Sequence, residues 1–241
     1  MIEHRGAARP NLYTLVTPAN HYPSRLPEYG DQPVVKLVTP RFAPARIGQY
    51  LVVLSAGAAG TRPIAPGFDT FIYVLDGVAA LGEAALPAGG YAYIPATEGY
   101  ALAAGEGTAR VLVVKRPPNP VAGLAPPGAR TGHRDDEPFA ATPVPGFTRR
   151  ELLPVDDPAF SFAMSLLRFE AGVGLPNVEI HDEEHGLYVV AGEGEYLLGT
   201  DRHAVQAGDF IYMAPYCPQG FRAGAVAAEY LLYKDTWRDG F

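Results

Sequence analysis

Residues 179–192 read Glu-Ile-His-Asp-Glu-Glu-His-Gly-Leu-Tyr-Val-Val-Ala-Gly and concentrate more metal-ligating side chains than any other stretch of the chain. Glu179 and His181 are separated by one residue, so on an extended strand both side chains leave the same face. The acidic run Asp182–Glu184 favours a loop, which we interpret as solvated, and His185 then begins an apolar run. The stretch therefore predicts two metal ligands on one extended segment and a third on the strand that follows.

Short apolar runs of this kind recur along most of the chain, and each is bounded by Gly, Pro or Asp. The 241 residues include 27 Gly and 24 Pro, which is a high content for a helical protein. Such punctuation is typical of many short strands joined by turns. We therefore predict an all-β fold, built as a sandwich or barrel.

The two halves of the chain resemble each other. Three pairs of segments match in the same order: Phe71–Gly77 with Gly186–Gly192, Ala88–Pro95 with Ala207–Pro215, and Val113–Arg116 with Leu232–Asp235. This order indicates a duplicated domain. We predict an N-terminal extended arm (1–35), an N-terminal domain (36–116), a proline-rich linker (117–147) and a C-terminal domain (148–241).

Composition excludes several classes of partner. The net charge is -7 and basic residues form no stripe, so nucleic acid is not an expected partner. No run of 18 apolar residues occurs, so we expect no contact with a membrane. The single cysteine, Cys217, cannot form an internal disulfide, and no signal peptide is evident at the N-terminus, which together favour the cytoplasm. Packing is the expected role of Cys217.

The ligand spacing points to a known superfamily. The pattern Glu179-x-His181-x3-His185-x6-Gly192, with Gln219 eleven residues after the glycine of a second motif, resembles the paired motifs of cupins. The usual cupin pattern has His, His and Glu at the first three ligand positions and His at the fourth, and this sequence keeps the spacing with a permuted set. The resemblance implies two tandem cupin barrels, each a double-stranded β-helix or jelly roll, in a bicupin.

The permuted ligands narrow the resemblance further. Together with Val178–Gly186, Met213–Gln219 and Tyr230–Asp235, they are similar to the bicupin (S)-ureidoglycine aminohydrolase family, which comprises manganese enzymes of purine ureide catabolism. The resemblance implies hydrolysis of (S)-ureidoglycine to (S)-ureidoglycolate and ammonia in allantoin degradation. The ureide substrate would be a small molecule.

Four residues are the predicted metal ligands: Glu179, His181, His185 and Gln219. A carboxylate, two imidazoles and an amide carbonyl suit Mn²⁺ and would tolerate other divalent first-row metals. Glu179 is also a predicted catalytic residue, because it occupies a position that histidine usually holds in cupins.

Lys234, Tyr196 and Tyr230 are the other candidate site residues. Tyr230 and Lys234 share one face of a strand, and by hypothesis Lys234 either places a cation near the substrate carboxylate or assists proton transfer. The resemblance places both tyrosines in the substrate pocket as hydrogen-bonding groups. The alternatives are a solvated lysine at the end of a strand and two half-buried structural tyrosines.

The first half lacks equivalent ligands. Alignment on its motif glycines puts Ile64, Pro66, Thr70 and Tyr100 at the ligand positions, and Ile, Pro and Thr make no credible site there. We therefore predict that the N-terminal cupin domain has no metal site and serves a structural role.

Two other functions stay open. One is a cupin dioxygenase or isomerase, and the other is a non-catalytic bicupin that binds a small molecule. We also expect a homo-oligomer, a dimer or larger, because barrels with an extended arm often associate through strands.

Overall fold

The computed structural model describes residues 5–236, and strands make up nearly half of them. In chain order the strands are β1 (Ala7–Arg9), β2 (Tyr13–Val16), β3 (Val34–Val38), β4 (Gly48–Leu54), β5 (Asp69–Asp76), β6 (Val78–Leu81), β7 (Ala84–Pro87), β8 (Gly90–Ile94), β9 (Leu102–Ala104), β10 (Ala109–Arg116), β11 (Arg130–His133), β12 (Ala140–Ala141), β13 (Phe147–Leu153), β14 (Phe162–Phe169), β15 (His185–Ala191), β16 (Glu193–Leu198), β17 (Asp201–Gln206), β18 (Phe210–Met213), β19 (Gln219–Ala223) and β20 (Ala228–Asp235). Two short 3-10 turns, Pro18–Asn20 and Pro27–Tyr29, complete the secondary structure of this range. No helix in the described range has the length and apolar character to cross a membrane. The predicted all-β class is confirmed.

The chain divides into two compact units. Within the described range, the C-terminal unit comprises residues 5–20, 42–44 and 137–236. Its larger sheet has the order β1-β2-β18-β15-β20-β14-β13-β12, and its smaller sheet has the order β17-β16-β19. Apolar side chains from both sheets, among them Leu187, Leu198 and Phe221, form one buried core.

The N-terminal unit comprises residues 21–41 and 45–136. Its larger sheet has the order β11-β8-β5-β10-β4-β3, and its smaller sheet has the order β7-β6-β9. Its own buried core includes Tyr29, Val52 and Val113.

The strand orders confirm the duplication predicted from the sequence. Within the larger sheets, β8-β5-β10-β4-β3 of one unit corresponds to β18-β15-β20-β14-β13 of the other, and the smaller sheets correspond in the same way. The matched sequence segments fall on β5 and β15, β8 and β18, and β10 and β20. The fold is therefore a bicupin of two jelly-roll units, as the sequence indicated.

The unit boundaries differ from the predicted ones. The first part of the predicted arm, 1–35, forms β1 and β2, and β2 pairs with β18 of the C-terminal unit. The rest of the arm, residues 21–35, belongs to the N-terminal unit. The predicted linker, 117–147, contains β11, which pairs with β8, and β12, which pairs with β13. A strand at the edge of a sheet has unpaired backbone N–H and C=O groups. Strands from the arm and the linker form hydrogen bonds with these groups, which the proline-rich composition of the two segments did not indicate. Residues 1–4 of the arm and 237–241 of the C-terminal domain lie outside the described range.

The motif glycines have a backbone reason. Gly77 and Gly192 have φ angles of 73° and 78°, in the left-handed region. A Cβ atom at Gly77 would collide with the carbonyl oxygen of Thr108, and one at Gly192 with that of Ala227. Only glycine meets both requirements, so each unit has a glycine where the large sheet leads into the small sheet.

Candidate functional site

A cavity of 320 Å³ lies inside the C-terminal unit. It is lined by Thr142, Pro143, Phe147, Arg149, Val155, Ser165, Leu167, Leu175, Glu179, His181, His185, Tyr196, Gln219, Tyr230, Leu232 and Lys234. All seven site residues proposed from the sequence are in this set. A larger depression of 580 Å³ in the N-terminal unit, lined by residues such as Arg25, Gly60 and Arg62, contains none of them.

Glu179 and Gln219 are held side by side by their backbones. The amide of Glu179 donates to the carbonyl of Gln219 at 2.8 Å, and the amide of Gln219 donates to the carbonyl of Glu179 at 2.9 Å. This two-residue antiparallel bridge lies outside regular strand at Glu179 and at the first residue of β19 at Gln219. The two oxygen-bearing side chains therefore enter the cavity from neighbouring backbone positions.

The two histidines lie beside this pair. Nε2 of His181 is 3.3 Å from Oε2 of Glu179, which agrees with the shared face expected of these residues. The rings of His181 and His185 have centroids 5.0 Å apart. The backbone carbonyl of His181 accepts a hydrogen bond of 2.6 Å from the amide of Tyr216, which fixes the loop that carries it.

His185 is the most deeply buried of the candidate ligands and is the first residue of β15. Burial, together with the smaller effects of the nearby His181 and Lys234, lowers the pKa of His185 to about 3. A neutral imidazole has a free ring lone pair, which is the form that binds a metal.

The donor chemistry fits a divalent metal, although the side chains do not enclose one. Across residues 5–236, no three His, Cys, Asp or Glu side chains form a group arranged to hold a metal ion. The carboxylate of Glu179, two imidazoles and the amide of Gln219 nevertheless face one cavity. This mixed oxygen and nitrogen set suits first-row divalent ions. The metal centre therefore stays a prediction.

Tyr196 and Tyr230 form the buried floor of the cavity. Their ring centroids are 6.5 Å apart, and both side chains are buried. Burial raises the pKa of both hydroxyls well above the usual value, and the carboxylate of Glu179 raises it further. Both phenols therefore stay protonated at neutral pH and can donate hydrogen bonds.

Lys234 lies directly opposite His185 in the pairing of β20 with β15. Its ammonium nitrogen is 3.2 Å from Oε1 of Glu183. Lys234 is 30% exposed in its side chain and Glu183 20%, so the pair lies at the edge of the cavity and is partly shielded from water.

The expectation of a wholly solvated acidic loop was wrong. Glu183 pairs with Lys234, and Glu184 is 1% exposed and accepts a hydrogen bond of 2.9 Å from the hydroxyl of Tyr212. The backbone carbonyl of Glu184 also accepts from the amide of Asp235. The run of like charges concealed these partners, because they come from strands distant in sequence.

Sequence reasoning missed Arg149, which lines the cavity from β13. In the sequence Arg149 and Arg150 form an isolated basic pair, which by itself does not indicate a cavity residue. The alternation of Phe147, Arg149 and Glu151 along a strand was the available signal, since these residues share one face.

The N-terminal unit has the same backbone feature without the ligands. Ile64 and Tyr100 form the bridge that corresponds to Glu179 and Gln219, with hydrogen bonds of 2.7 and 3.0 Å. Tyr29 is fully buried in this unit and lies against Tyr50, with the ammonium of Lys115 5.2 Å from its ring centre. An aromatic side chain therefore packs beside the lysine that corresponds to Lys234.

Comparison with known proteins identifies a family model and several proteins that resemble this chain. A family model described as Cupin domain matches residues 165–232. The "Probable (S)-ureidoglycine aminohydrolase" of Oryza sativa subsp. japonica is 34% identical over 233 residues, covering 94% of this chain and 74% of that protein. The (S)-ureidoglycine aminohydrolase of Arabidopsis thaliana is 30% identical over 233 residues, covering 94% and 76%. The crystal structure of the Escherichia coli protein Ylba has a TM-score of 0.81 at 27% identity, covering 99% of this chain and 96% of that one.

Proposed function

The chain belongs to the (S)-ureidoglycine aminohydrolase family of cupin proteins, and we propose that it hydrolyses (S)-ureidoglycine to (S)-ureidoglycolate and ammonia with Mn²⁺ as its metal. The observation that carries the proposal is that Glu179, His181, His185 and Gln219 line one cavity together with Lys234. The names of the two plant relatives supply the substrate.

Glu179, His181, His185 and Gln219 would hold the metal. When bound, the ion supplies a Lewis acid and a template for the substrate. The bridge between Glu179 and Gln219 keeps two of the four donors adjacent, and the neutral state of His185 keeps a third ready to bind. Other first-row divalent ions would fit the same donors.

The reaction replaces one bond at the α-carbon of the substrate. The bond from this carbon to the amino nitrogen breaks, a bond to the oxygen of water forms, and a proton from that water leaves with the nitrogen as ammonia. The protonated phenols of Tyr196 and Tyr230 can donate hydrogen bonds to the ureido oxygen. Lys234 is placed to hold or deliver a proton at its ammonium nitrogen, since it lines the cavity beside His185.

Ammonia release is the direct test. The protein is purified without chelator, its metal content is measured, and ammonia is assayed with (S)-ureidoglycine before and after metal removal and Mn²⁺ return. We expect metal in the purified protein, loss of ammonia release on removal, and recovery with Mn²⁺. A metal-free protein that produces no ammonia with Mn²⁺ would defeat the proposal.

The same assay separates the alternative functions. Turnover of ureidoglycine without oxygen excludes a dioxygenase, because that reaction consumes O₂. Binding of the ureide without release of ammonia would identify a non-catalytic bicupin. A product that keeps the α-amino nitrogen would identify an isomerase.

Three wider statements belong to the same proposal. The enzyme acts in allantoin degradation, resides in the cytoplasm and forms a homo-oligomer. Its substrate would be the product of the step that comes before it in allantoin degradation. Light scattering on the purified protein tests the oligomer, and fractionation of cells tests the location.

A further inference from the structure

We propose that Arg149 binds the carboxylate of the substrate, leaving Lys234 free for proton transfer. This inference deepens the proposed function, on which it rests, by assigning the two cations of the cavity to different tasks. The sequence alone had left both tasks to Lys234.

The charges of the cavity support this assignment. Among the residues described as lining it, three are of the Asp, Glu, Lys or Arg types: Glu179, Arg149 and Lys234. Glu179 belongs to the proposed ligand set and would repel a substrate carboxylate. A substrate that carries a carboxylate therefore has two candidate partners, on different strands.

The two cations lie at different places along the sheet. Arg149 pairs with Leu167 of β14, which in turn pairs with Tyr230 of β20. Lys234 is further along β20 from Tyr230 and pairs with His185. Arg149 is therefore level with Tyr230 and two strands away from it, whereas Lys234 is directly opposite the candidate ligand His185.

Contacts already orient the guanidinium of Arg149. Its NH2 group pairs with Oε1 of Glu151, the next residue on the same face of β13. The other carboxylate oxygen of Glu151 accepts a hydrogen bond of 3.3 Å from the amide of Val155, which also lines the cavity. The side chain of Arg149 is 36% exposed, so a ligand can reach it.

The chemistry of the two side chains also favours this division. A guanidinium is planar and presents paired N–H donors that match the two oxygens of a carboxylate, but it does not give up its proton at physiological pH. An ammonium is a compact charge that can exchange a proton more readily. Each cation already has one carboxylate partner, Glu183 for Lys234 and Glu151 for Arg149, so the division of tasks depends on the shape of the two cationic groups and on their places in the sheet.

Calorimetric titration with two unreactive probes tests the proposal without turnover. N-carbamoylglycine keeps the ureido group and the carboxylate of the substrate but lacks the α-amino group. Its carboxamide, N-carbamoylglycinamide, also lacks the negative charge. In the metal-loaded protein, Arg149→Met should lower the affinity for N-carbamoylglycine about 10- to 150-fold, which is the loss expected when hydrogen bonds to a charged group are removed. The affinity for the carboxamide should stay the same.

Two further variants guard against a trivial result. Arg149→Lys keeps the positive charge but loses the paired N–H donors of the guanidinium, so its affinity for N-carbamoylglycine should lie between those of wild type and Arg149→Met. This variant also tests the proposal if Arg149→Met does not fold. Arg202→Met is the matched control, because Arg202 forms an exposed pair with Glu195 on the surface of the same unit. It should bind both probes as wild type does.

The proposal is overturned if Arg149→Met loses the same affinity for both probes, or loses none for N-carbamoylglycine. It is also overturned if the wild type does not bind N-carbamoylglycine, or if Lys234→Met rather than Arg149→Met selectively loses affinity for the probe with the carboxylate. Selective loss in Arg149→Met from a protein that releases no ammonia would leave this inference standing while the proposed function fails.

Discussion

Glu179 and Gln219 are joined by a pair of backbone hydrogen bonds of 2.8 and 2.9 Å, although they belong to separate motifs. The N-terminal unit forms the same bridge between Ile64 and Tyr100, but the side chain of Ile64 has no atom that could bind a metal. The fold therefore supplies the position of this residue pair, and the side chains differ between the two units.

Glu179→His should keep the metal and abolish most turnover. A histidine at position 179 can still bind the metal. The variant lacks the carboxylate that lies near both His181 and the tyrosines of the cavity floor. We expect ammonia release to fall by about 10²- to 10⁴-fold, the usual contribution of a proton-transferring group. Metal analysis and ammonia assay are made together, with Glu195→Gln, an exposed carboxylate, as the control. Full activity with bound metal would contradict the role of Glu179.

Lys234→Met should also keep the metal and lose turnover. Removal of the ammonium beside His185 removes a proton donor, and we expect kcat to fall by about 10²- to 10⁴-fold while KM changes little. A large rise in KM with unchanged kcat would show that Lys234 binds substrate instead. A variant with its metal and full turnover would remove Lys234 from the mechanism.

Gly192→Ala should destabilise the C-terminal unit more than Gly172→Ala. Both glycines have left-handed φ angles, 78° and 73°, but a Cβ at Gly192 meets the carbonyl of Ala227 while one at Gly172 has no atom within 4 Å. The backbone conformation alone costs about 1–3 kcal/mol in each variant. Urea unfolding measures both, and equal losses would show that the collision is relieved at no cost.

The free energy of unfolding should fall as pH rises above about 10, the ordinary pKa of tyrosine. Burial raises the pKa of Tyr196, Tyr230 and Tyr212 in the folded protein. Above the ordinary pKa the unfolded chain has lost these protons while the folded chain retains them, so a further rise in pH favours unfolding. Each such tyrosine contributes up to about 1.4 kcal/mol per pH unit.

Urea unfolding at a series of pH values between about 8 and about 11 measures this slope. Tyr212→Phe removes one of the buried hydroxyls, together with its bond to Glu184, and should make the slope less steep. A free energy that does not change with pH across this range would contradict the raised pKa values.

Local sequence alone determined the strand-rich fold, the duplication and the spacing of the proposed ligands. These features depend on alternation within short segments and on glycines such as Gly192, whose backbone no other residue adopts without strain. The spacing of Glu179, His181 and His185 is a short-range pattern of this kind, whereas Gln219 was added through the resemblance to the paired cupin motifs. All four residues line one cavity.

Only the tertiary structure decided which distant segments meet. The pairing of β2 with β18, the strands inside the predicted linker, and the partners Glu183 of Lys234 and Glu151 of Arg149 were not evident in the sequence. The physical reason is register. A strand specifies its own alternation but not its neighbour, and a shift of one residue would turn Arg149 away from the cavity.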